Sequence, residues 1–286
     1  MNREPPVLVL GATGGQGGAV LNAVLADGMS ARAVVRDPGS ASARRIGGRG
    51  VQVVAGAFDD REALAAAMHG VAGVFALTTP FESGPDAEVA QGRAILAAAR
   101  EARVGHLVFA SVAAADQGTG VPHFESEAII ERELAAGAIP YTIIAPTYFF
   151  DNALAGGQQI RAGVLPLPLP PHRRLQQLAR PDLGRVAAQV LAAPAEFTGR
   201  RIELAGDEPT ATEMAAALTA ALGREVRHEE VPISAIGNPD MRAMWEFLRG
   251  PGFQVDLAAL RSELPGIGWT SFATWARQVF HDEPRP

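Results

Sequence analysis

Residues Gly11-Ala12-Thr13-Gly14-Gly15-Gln16-Gly17 follow the aliphatic run Val7-Leu8-Val9-Leu10 and precede another apolar stretch. A short strand, a glycine turn and a helix start form the geometry that receives a dinucleotide pyrophosphate. Gly11 permits the tight turn, Gly14 lets the backbone approach phosphate, and Gly17 allows the helix to pack closely on the strand. The helix start offers unpaired N–H groups and the positive end of its dipole to the anion. The spacing Gly-x-x-Gly-x-x-Gly departs from the commoner Gly-x-Gly-x-x-Gly, and glycine turns also serve purely structural ends. Its place directly behind a strand favours the cofactor reading, with Thr13, Gly15 and Gln16 completing the loop.

The rest of the first half repeats the alternation of aliphatic strand and helix. Strands are expected at 7–10, 31–36, 51–55, 71–78, 106–112 and 141–145, and helices near 17–27, 60–69, 86–103 and 125–136. Most of these strands are continuous apolar runs, as in a sheet covered by helices on both faces. Gly28, Gly70 and Gly137 follow three of the helices and fit a positive-φ end position. Asp59 with Glu62 reads as a helix start. The order β-α-β-β-α-β-α-β implies an α/β fold with a doubly wound, mostly parallel sheet of Rossmann type.

Composition shifts after about residue 150, so the chain divides into a dinucleotide-binding domain at 1–150 and a smaller, mostly helical lobe at 151–286. Leu165-Pro-Leu-Pro-Leu-Pro-Pro171 can be neither helix nor central strand, and reads as a surface connection or edge segment. A helix is expected near 181–192, and the strand at 201–205 is expected to return to the sheet. Thr210 with Glu213 opens a capped helix ending at Gly223, and short helices are expected within 241–248, 255–264 and 270–280.

Arg36 stands at the end of the second strand, where this architecture faces the adenosine ribose. An acid there accepts hydrogen bonds from a ribose diol, whereas an arginine pairs with a 2′-phosphate. NADP(H) is therefore favoured over NAD(H), with Asp37 the opposing feature and a solvated arginine at a strand end the plain alternative.

Several chemistries are excluded outright. All 25 basic residues are arginine, so no Schiff base, lysine general base or Tyr-x-x-x-Lys dyad exists. There is no cysteine, which removes disulfides, thiolate nucleophiles and cysteine metal sites. The six histidines include no helical i, i+4 pair, so no metal site is expected. A Gly-x-Ser-x-Gly nucleophile elbow is absent. Net charge −6, with arginines clustered only in isolated pairs, argues against a nucleic-acid surface. The opening Met-Asn-Arg-Glu-Pro-Pro lacks a signal-peptide core, and no apolar run reaches membrane-spanning length, so a cytoplasmic protein is expected.

The motifs Gly11–Gly17, Val34-Val-Arg-Asp-Pro38, Asp59-Asp60, Gly73-Val-Phe-Ala-Leu-Thr-Thr-Pro80, Pro122-His-Phe124, Pro140-Tyr-Thr-Ile-Ile144 and Glu203-Leu-Ala-Gly-Asp207 resemble the NmrA-like family in order and spacing. Residues 251–264 resemble its C-terminal lobe. The resemblance implies an atypical short-chain dehydrogenase/reductase that prefers NADP(H), with a cleft between its Rossmann part and its lobe. The family includes NAD(P)H-dependent reductases and redox-sensing regulators. Where the family pattern resembles His-Phe-Asp-Ser-Lys, this chain reads His123-Phe-Glu-Ser-Glu127, so a carboxylate replaces a lysine. Ala145 and Ala57 likewise replace a family arginine and aspartate.

Among candidate catalytic groups, Ser111 ends the fifth strand where such folds keep a hydroxyl near substrate, or it simply satisfies backbone. His123 suits acid–base work or caps the following helix. Tyr148, with Asn152, stands in the stretch expected to line the cleft, whereas Phe149 and Phe150 read as packing. Thr78 and Thr79 border the pyrophosphate or nicotinamide ribose, or merely end a strand. Trp245, Phe247 and Phe253 roof a pocket or pack the lobe. Glu127 is expected at the nicotinamide end of the cleft. The helix dipole lowers its pKa while desolvation raises it, which leaves its charge open. These residues suit a reductase of a small, partly apolar carbonyl, enone, quinone or dye-like substrate. The competing readings are a redox sensor with a regulatory protein partner and a non-redox lyase, isomerase or cyclase.

Overall fold

The computed structural model describes residues 4–280, so Met1–Arg3 of the opening segment lie outside the described residues. In chain order the first elements are β1 (Val7–Val9), α1 (Gly15–Ala26), β2 (Ala31–Val35), α2 (Ala41–Gly47), β3 (Gln52–Ala55), α3 (Arg61–Met68), β4 (Gly73–Leu77), α4 (Pro85–Glu101), β5 (Leu107–Ala110), α5 (Pro122–Ala135) and β6 (Tyr141–Pro146). There follow β7 (Tyr148–Phe149), α6 (Gly157–Arg161), β8 (Val164–Leu167), β9 (Gln177–Leu178), α7 (Arg180–Ala192), α8 (Pro194–Phe197) and β10 (Arg200–Leu204). The last are α9 (Ala211–Leu222), β11 (Arg227–Glu230), α10 (Pro239–Arg249), α11 (Leu257–Glu263) and α12 (Phe272–Phe280).

Seven strands form one sheet in the order β10-β6-β5-β4-β1-β2-β3. The chain runs outward through β2 and β3, returns to the far side of β1 as β4, and continues outward through β5, β6 and β10. β1 therefore pairs in parallel with both β2 and β4, and the point where the winding reverses lies between β1 and β4. Open α/β sheets bind ligands outside the strand carboxyl ends at such a switch point. The inner strands β1, β4 and β5 are apolar throughout, because helices cover both faces there: Leu8, Val9, Val74, Phe75, Val108 and Phe109 are fully buried. Close helix packing is built on small residues. A Cβ on Gly184 of α7 would stand 2.4 Å from the Ala19 carbonyl oxygen of α1.

The chain forms two compact units that interleave along its length. Among the described residues the first comprises 4–116, 123–145 and 183–203, and carries the large sheet. The second comprises 117–122, 146–182 and 204–280. Its two small sheets pair β8 with β11 and β7 with β9, and its helices α9 and α12 pack together. Phe150, Phe272, Trp275 and Phe280 form its aromatic core. The Pro-Leu alternation supplies β8 as the edge-type strand its prolines allow.

Three local readings need correction. Helix α2 lies where none was expected, since Gly39, Gly47 and Gly48 obscure a seven-residue helix capped by Ser40, whose Oγ accepts from the Ala43 N–H. The α3 cap is Asp60 rather than Asp59, its carboxylate accepting from the Ala63 N–H at 3.0 Å. Gly137 is not among the positive-φ glycines, whereas Gly28 and Gly70 are, at 78° and 69°. The box at Thr210 and Glu213 is formed, and its helix ends on left-handed Gly223.

Candidate functional site

The glycine turn occupies the switch point. Gly11 follows β1 with φ at 66°, and a Cβ there would lie 3.2 Å from the Leu77 side chain at the end of β4. The Gly14 N–H closes the turn onto the Gly11 carbonyl at 2.8 Å. Gly17 is the tightest position: a Cβ would stand 2.4 Å from the Gly11 and Leu10 carbonyl oxygens, which no side chain tolerates. Helix α1 starts at Gly15 with Gly14 as N-cap, no side-chain cap and no acidic residue in its first turn. Thr13, Gly14 and Gly15 are exposed, and the Gln16 Oε1 is buried without a partner. An uncapped helix start at a switch point, with backbone open to an anion, fits a dinucleotide pyrophosphate.

Arg36 follows β2 directly. Its guanidinium is 77% exposed and pairs with Glu82 at 3.2 Å. Such an exposed pair is worth about 0–1 kcal/mol, so an incoming phosphate can displace it. Asp37 does not compete for that role. Its carboxylate turns back to accept from the Gly39 N–H at 2.8 Å, closing a local turn.

The loop after β4 turns its hydroxyls inward. Thr78 donates to Glu88 Oε1 of α4 at 3.1 Å, and the Thr79 N–H donates to the Gln91 side chain while its hydroxyl accepts from the Phe81 N–H. Ser126 of α5 donates to the other Glu88 oxygen at 2.6 Å. Glu127, the next residue, is buried and hydrogen-bonded to the same Glu88. Burial first, then the neighbouring Glu88 and Glu131 carboxylates, hold the Glu127 carboxyl well above the usual glutamate range. The shift runs in the direction that desolvation sets, toward the protonated form. The Glu127 Oε2 is enclosed and unpartnered. One turn on, buried Glu131 meets Arg201 at 2.8 Å, and Arg201 also holds Glu203 and Asp116.

His123 stands four residues before Glu127 on α5, buried edge-on against Phe124 at 4.8 Å with Phe81 on its other side at 5.8 Å. Ser111, just past β5, is 6% exposed and its Oγ has no hydrogen-bond partner. A buried hydroxyl left unpaired at a strand's carboxyl end is a reason to expect a ligand there.

Tyr148 belongs to the second unit. It lines a cavity of about 230 Å³ there with Asn152, Ile160, Leu165, Gln177 and Trp245. Its ring lies 5.3 Å from that of Trp245, and its hydroxyl is hydrogen-bonded with Asn152. Burial pushes the phenol far up, so it keeps its proton at any ordinary pH. Phe247 and Phe253 stack on each other at 5.6 Å, and Phe150 is fully buried. Sequence reading missed Glu88 and Gln177. Glu88 sits in α4, and only the packing of α4 on α5 reveals its contacts. No group of residues among those described is arranged to hold a metal ion. No described helix is long and apolar enough to cross a membrane.

Comparison with known proteins bears on this arrangement. A (4-alkanoyl-5-oxo-2,5-dihydrofuran-3-yl)methyl phosphate reductase of Streptomyces griseus is 34% identical over 232 residues, covering 80% of this chain and 78% of its own. An NAD(P)H azoreductase of Xenophilus azovorans is 31% identical over 230 residues, covering 79% and 77%. Among solved structures, an NADPH-dependent quinone oxidoreductase of Escherichia coli in complex with NADPH superposes with a TM-score of 0.81 at 26% identity, covering 96% of this chain and 100% of the other. The profile of the NmrA-like family matches residues 4–248, and the chain belongs to that family.

Proposed function

We propose that this protein is an NADP(H)-dependent oxidoreductase that reduces a small, partly apolar carbonyl, enone or quinone-like substrate. The observation that carries the reading is the turn at 11–17, an uncapped helix start at the switch point where even one methyl group at Gly17 has no room. The reductase names of the two curated relatives and the NADPH bound in the quinone oxidoreductase support the choice of chemistry.

A reduced nicotinamide, when bound, supplies the hydride to the acceptor. The chain's own residues bind and orient. The backbone of residues 13–17 and the α1 dipole hold the pyrophosphate, and Arg36 exchanges Glu82 for a 2′-phosphate, which places NADP(H) ahead of NAD(H). Ser111 offers its unpaired hydroxyl to the ligand at the end of β5. Tyr148 keeps its proton and can donate a hydrogen bond to a substrate oxygen without lysine assistance. Glu127 and His123 are enclosed on α5, so Glu127 acts through Glu88 as a positioning residue. The substrate is a small molecule, nucleic acid is not a partner of this acidic chain, and the cytoplasm is the compartment this reading assigns.

Calorimetric titration with NADPH and NADH, followed by NADPH oxidation across a panel of carbonyl, enone, quinone and dye acceptors, tests the proposal. Tighter binding of NADPH and turnover of at least one acceptor class are expected. A folded sample that binds neither nucleotide at millimolar concentration overturns it. Binding without oxidation across the panel replaces it with the redox-sensor reading, in which a protein partner follows the NADPH/NADP⁺ ratio.

A further inference from the structure

The cavity of the second unit contains an acceptor with nothing to accept. Gln177 is fully buried, and its backbone is fixed twice over: its N–H donates to the Asp207 carbonyl at 2.8 Å, and its carbonyl accepts from the Gly206 and Asp207 N–H groups. The side-chain amide nitrogen reaches only the Met214 sulfur at 3.3 Å, a weak acceptor, and Oε1 has no hydrogen-bond partner. A buried amide oxygen left unpaired has lost its hydration without a compensating hydrogen bond. Tyr148 is paired with Gln177 in register across β7 and β9, so both side chains stand on one face of that small sheet, and both line the cavity. Apolar or aromatic side chains of Trp245, Ile160, Leu165 and Met214 also line it, together with the polar Asn152 and Gln159.

We propose that Gln177 is a specificity-determining residue that selects one- or two-ring aromatic substrates carrying a hydroxyl or amino donor. The size follows from the cavity. Its volume of about 230 Å³ exceeds the roughly 150 Å³ that accommodates benzene in an apolar protein cavity. The ring lies against Trp245, the donor enters Gln177 Oε1, and the Tyr148 hydroxyl faces the same space. A site built to hydrogen-bond a hydroxyl rejects the analogue lacking it far more strongly than an apolar site rejects a missing methylene. The substrate class rests on the reductase reading, but the selection by Gln177 is a property of binding alone.

The test is calorimetric titration of the full chain, with and without NADP⁺, using 3-hydroxybenzaldehyde and 3-methylbenzaldehyde as matched probes. The hydroxyl probe is expected to bind at least tenfold more tightly. In Gln177→Leu and Gln177→Met the preference disappears while the methyl probe binds as well or better. Circular dichroism checks folding of each variant, and the wild-type comparison needs no variant. Equal affinity of the two probes for the wild type, binding of neither, or a preference that persists in a folded variant overturns the proposal. Because no turnover is read, a chain that fails to oxidise NADPH can still show the preference, and the two readings fail separately.

Discussion

Glu127→Gln isolates the proton held between α4 and α5. In the folded chain Glu88 accepts from Thr78 at 3.1 Å and Ser126 at 2.6 Å and is hydrogen-bonded with Glu127, whose carboxyl is held well above the usual range. The other charges in this cluster are Glu131 one turn along α5 and Arg201, which is committed to Glu131, Glu203 and Asp116. Below the ordinary glutamate value of 4.5 the carboxyl is protonated in folded and unfolded chains alike, and it contributes no pH dependence. Above that value the unfolded chain releases the proton while the folded chain keeps it. Unfolding then gains from deprotonation, and stability falls by about 1.4 kcal/mol per pH unit until the raised folded pKa is reached. Glutamine keeps the shape and a donor toward Glu88 but cannot titrate. Wild type and Glu127→Gln should therefore be similarly stable near pH 4.5. Above pH 5 the variant should gain stability relative to wild type as pH rises, at up to about 1.4 kcal/mol per unit while the folded chain keeps the proton. Urea unfolding of both proteins across this range measures the difference. Parallel stability curves would refute the raised pKa, and a variant that is less stable at every pH would refute the assigned donor direction.

The remaining predictions address the nucleotide loop and one helix cap. Arg36→Ala should weaken NADPH by about 1–3 kcal/mol and leave NADH nearly unchanged, as calorimetry would show, and an equal loss for both would remove the 2′-phosphate role. Gly17→Ala places a methyl group 2.4 Å from the Gly11 and Leu10 carbonyls, so it should displace the turn and abolish binding of both nucleotides. Wild-type affinity in that variant would contradict the packing. Thr210→Ala removes the side-chain half of the α9 capping box and should cost about 1 kcal/mol in denaturant unfolding.

What the sequence disclosed follows from the range of each interaction. The strands of the large sheet are continuous apolar runs, and burial on both faces writes that pattern locally, so β1 to β6 and β10 were readable to within a residue or two at most ends. The Thr210 cap was readable because its partners lie three residues apart. Helix α2 was hidden because glycines that normally end helices flank a short one that a single serine starts. The glycine turn was legible as a motif, close packing at Gly17 included, because the carbonyls of Leu10 and Gly11 that exclude a side chain there lie only six and seven residues away. The Glu88–Glu127 contact and the Gln177 cavity were illegible for another reason. Each joins residues 39 and 37 positions apart (Glu88 to Glu127, Gln177 to Met214), and nothing in either local pattern points to its partner.

The substitution at position 127 shows how a fold accommodates a reversed charge. Helix α5 buries two glutamates one turn apart, and they are held differently. Glu131 has a cation, because Arg201 on β10 reaches it at 2.8 Å and is itself shared with two further acids. That sharing leaves no arginine for Glu127, and the chain contains no lysine at all. An ionised, unpaired carboxylate at that depth is among the costliest groups a core can hold. Glu127 instead meets the equally enclosed Glu88, which also accepts from Thr78 and Ser126, so hydrogen bonds rather than a cation hold this pair. Position 127 thus joins α5 to α4 through a carboxyl–carboxyl contact. Under the proposed reductase function, proton donation to substrate is assigned to Tyr148, which keeps its proton and lines a cavity.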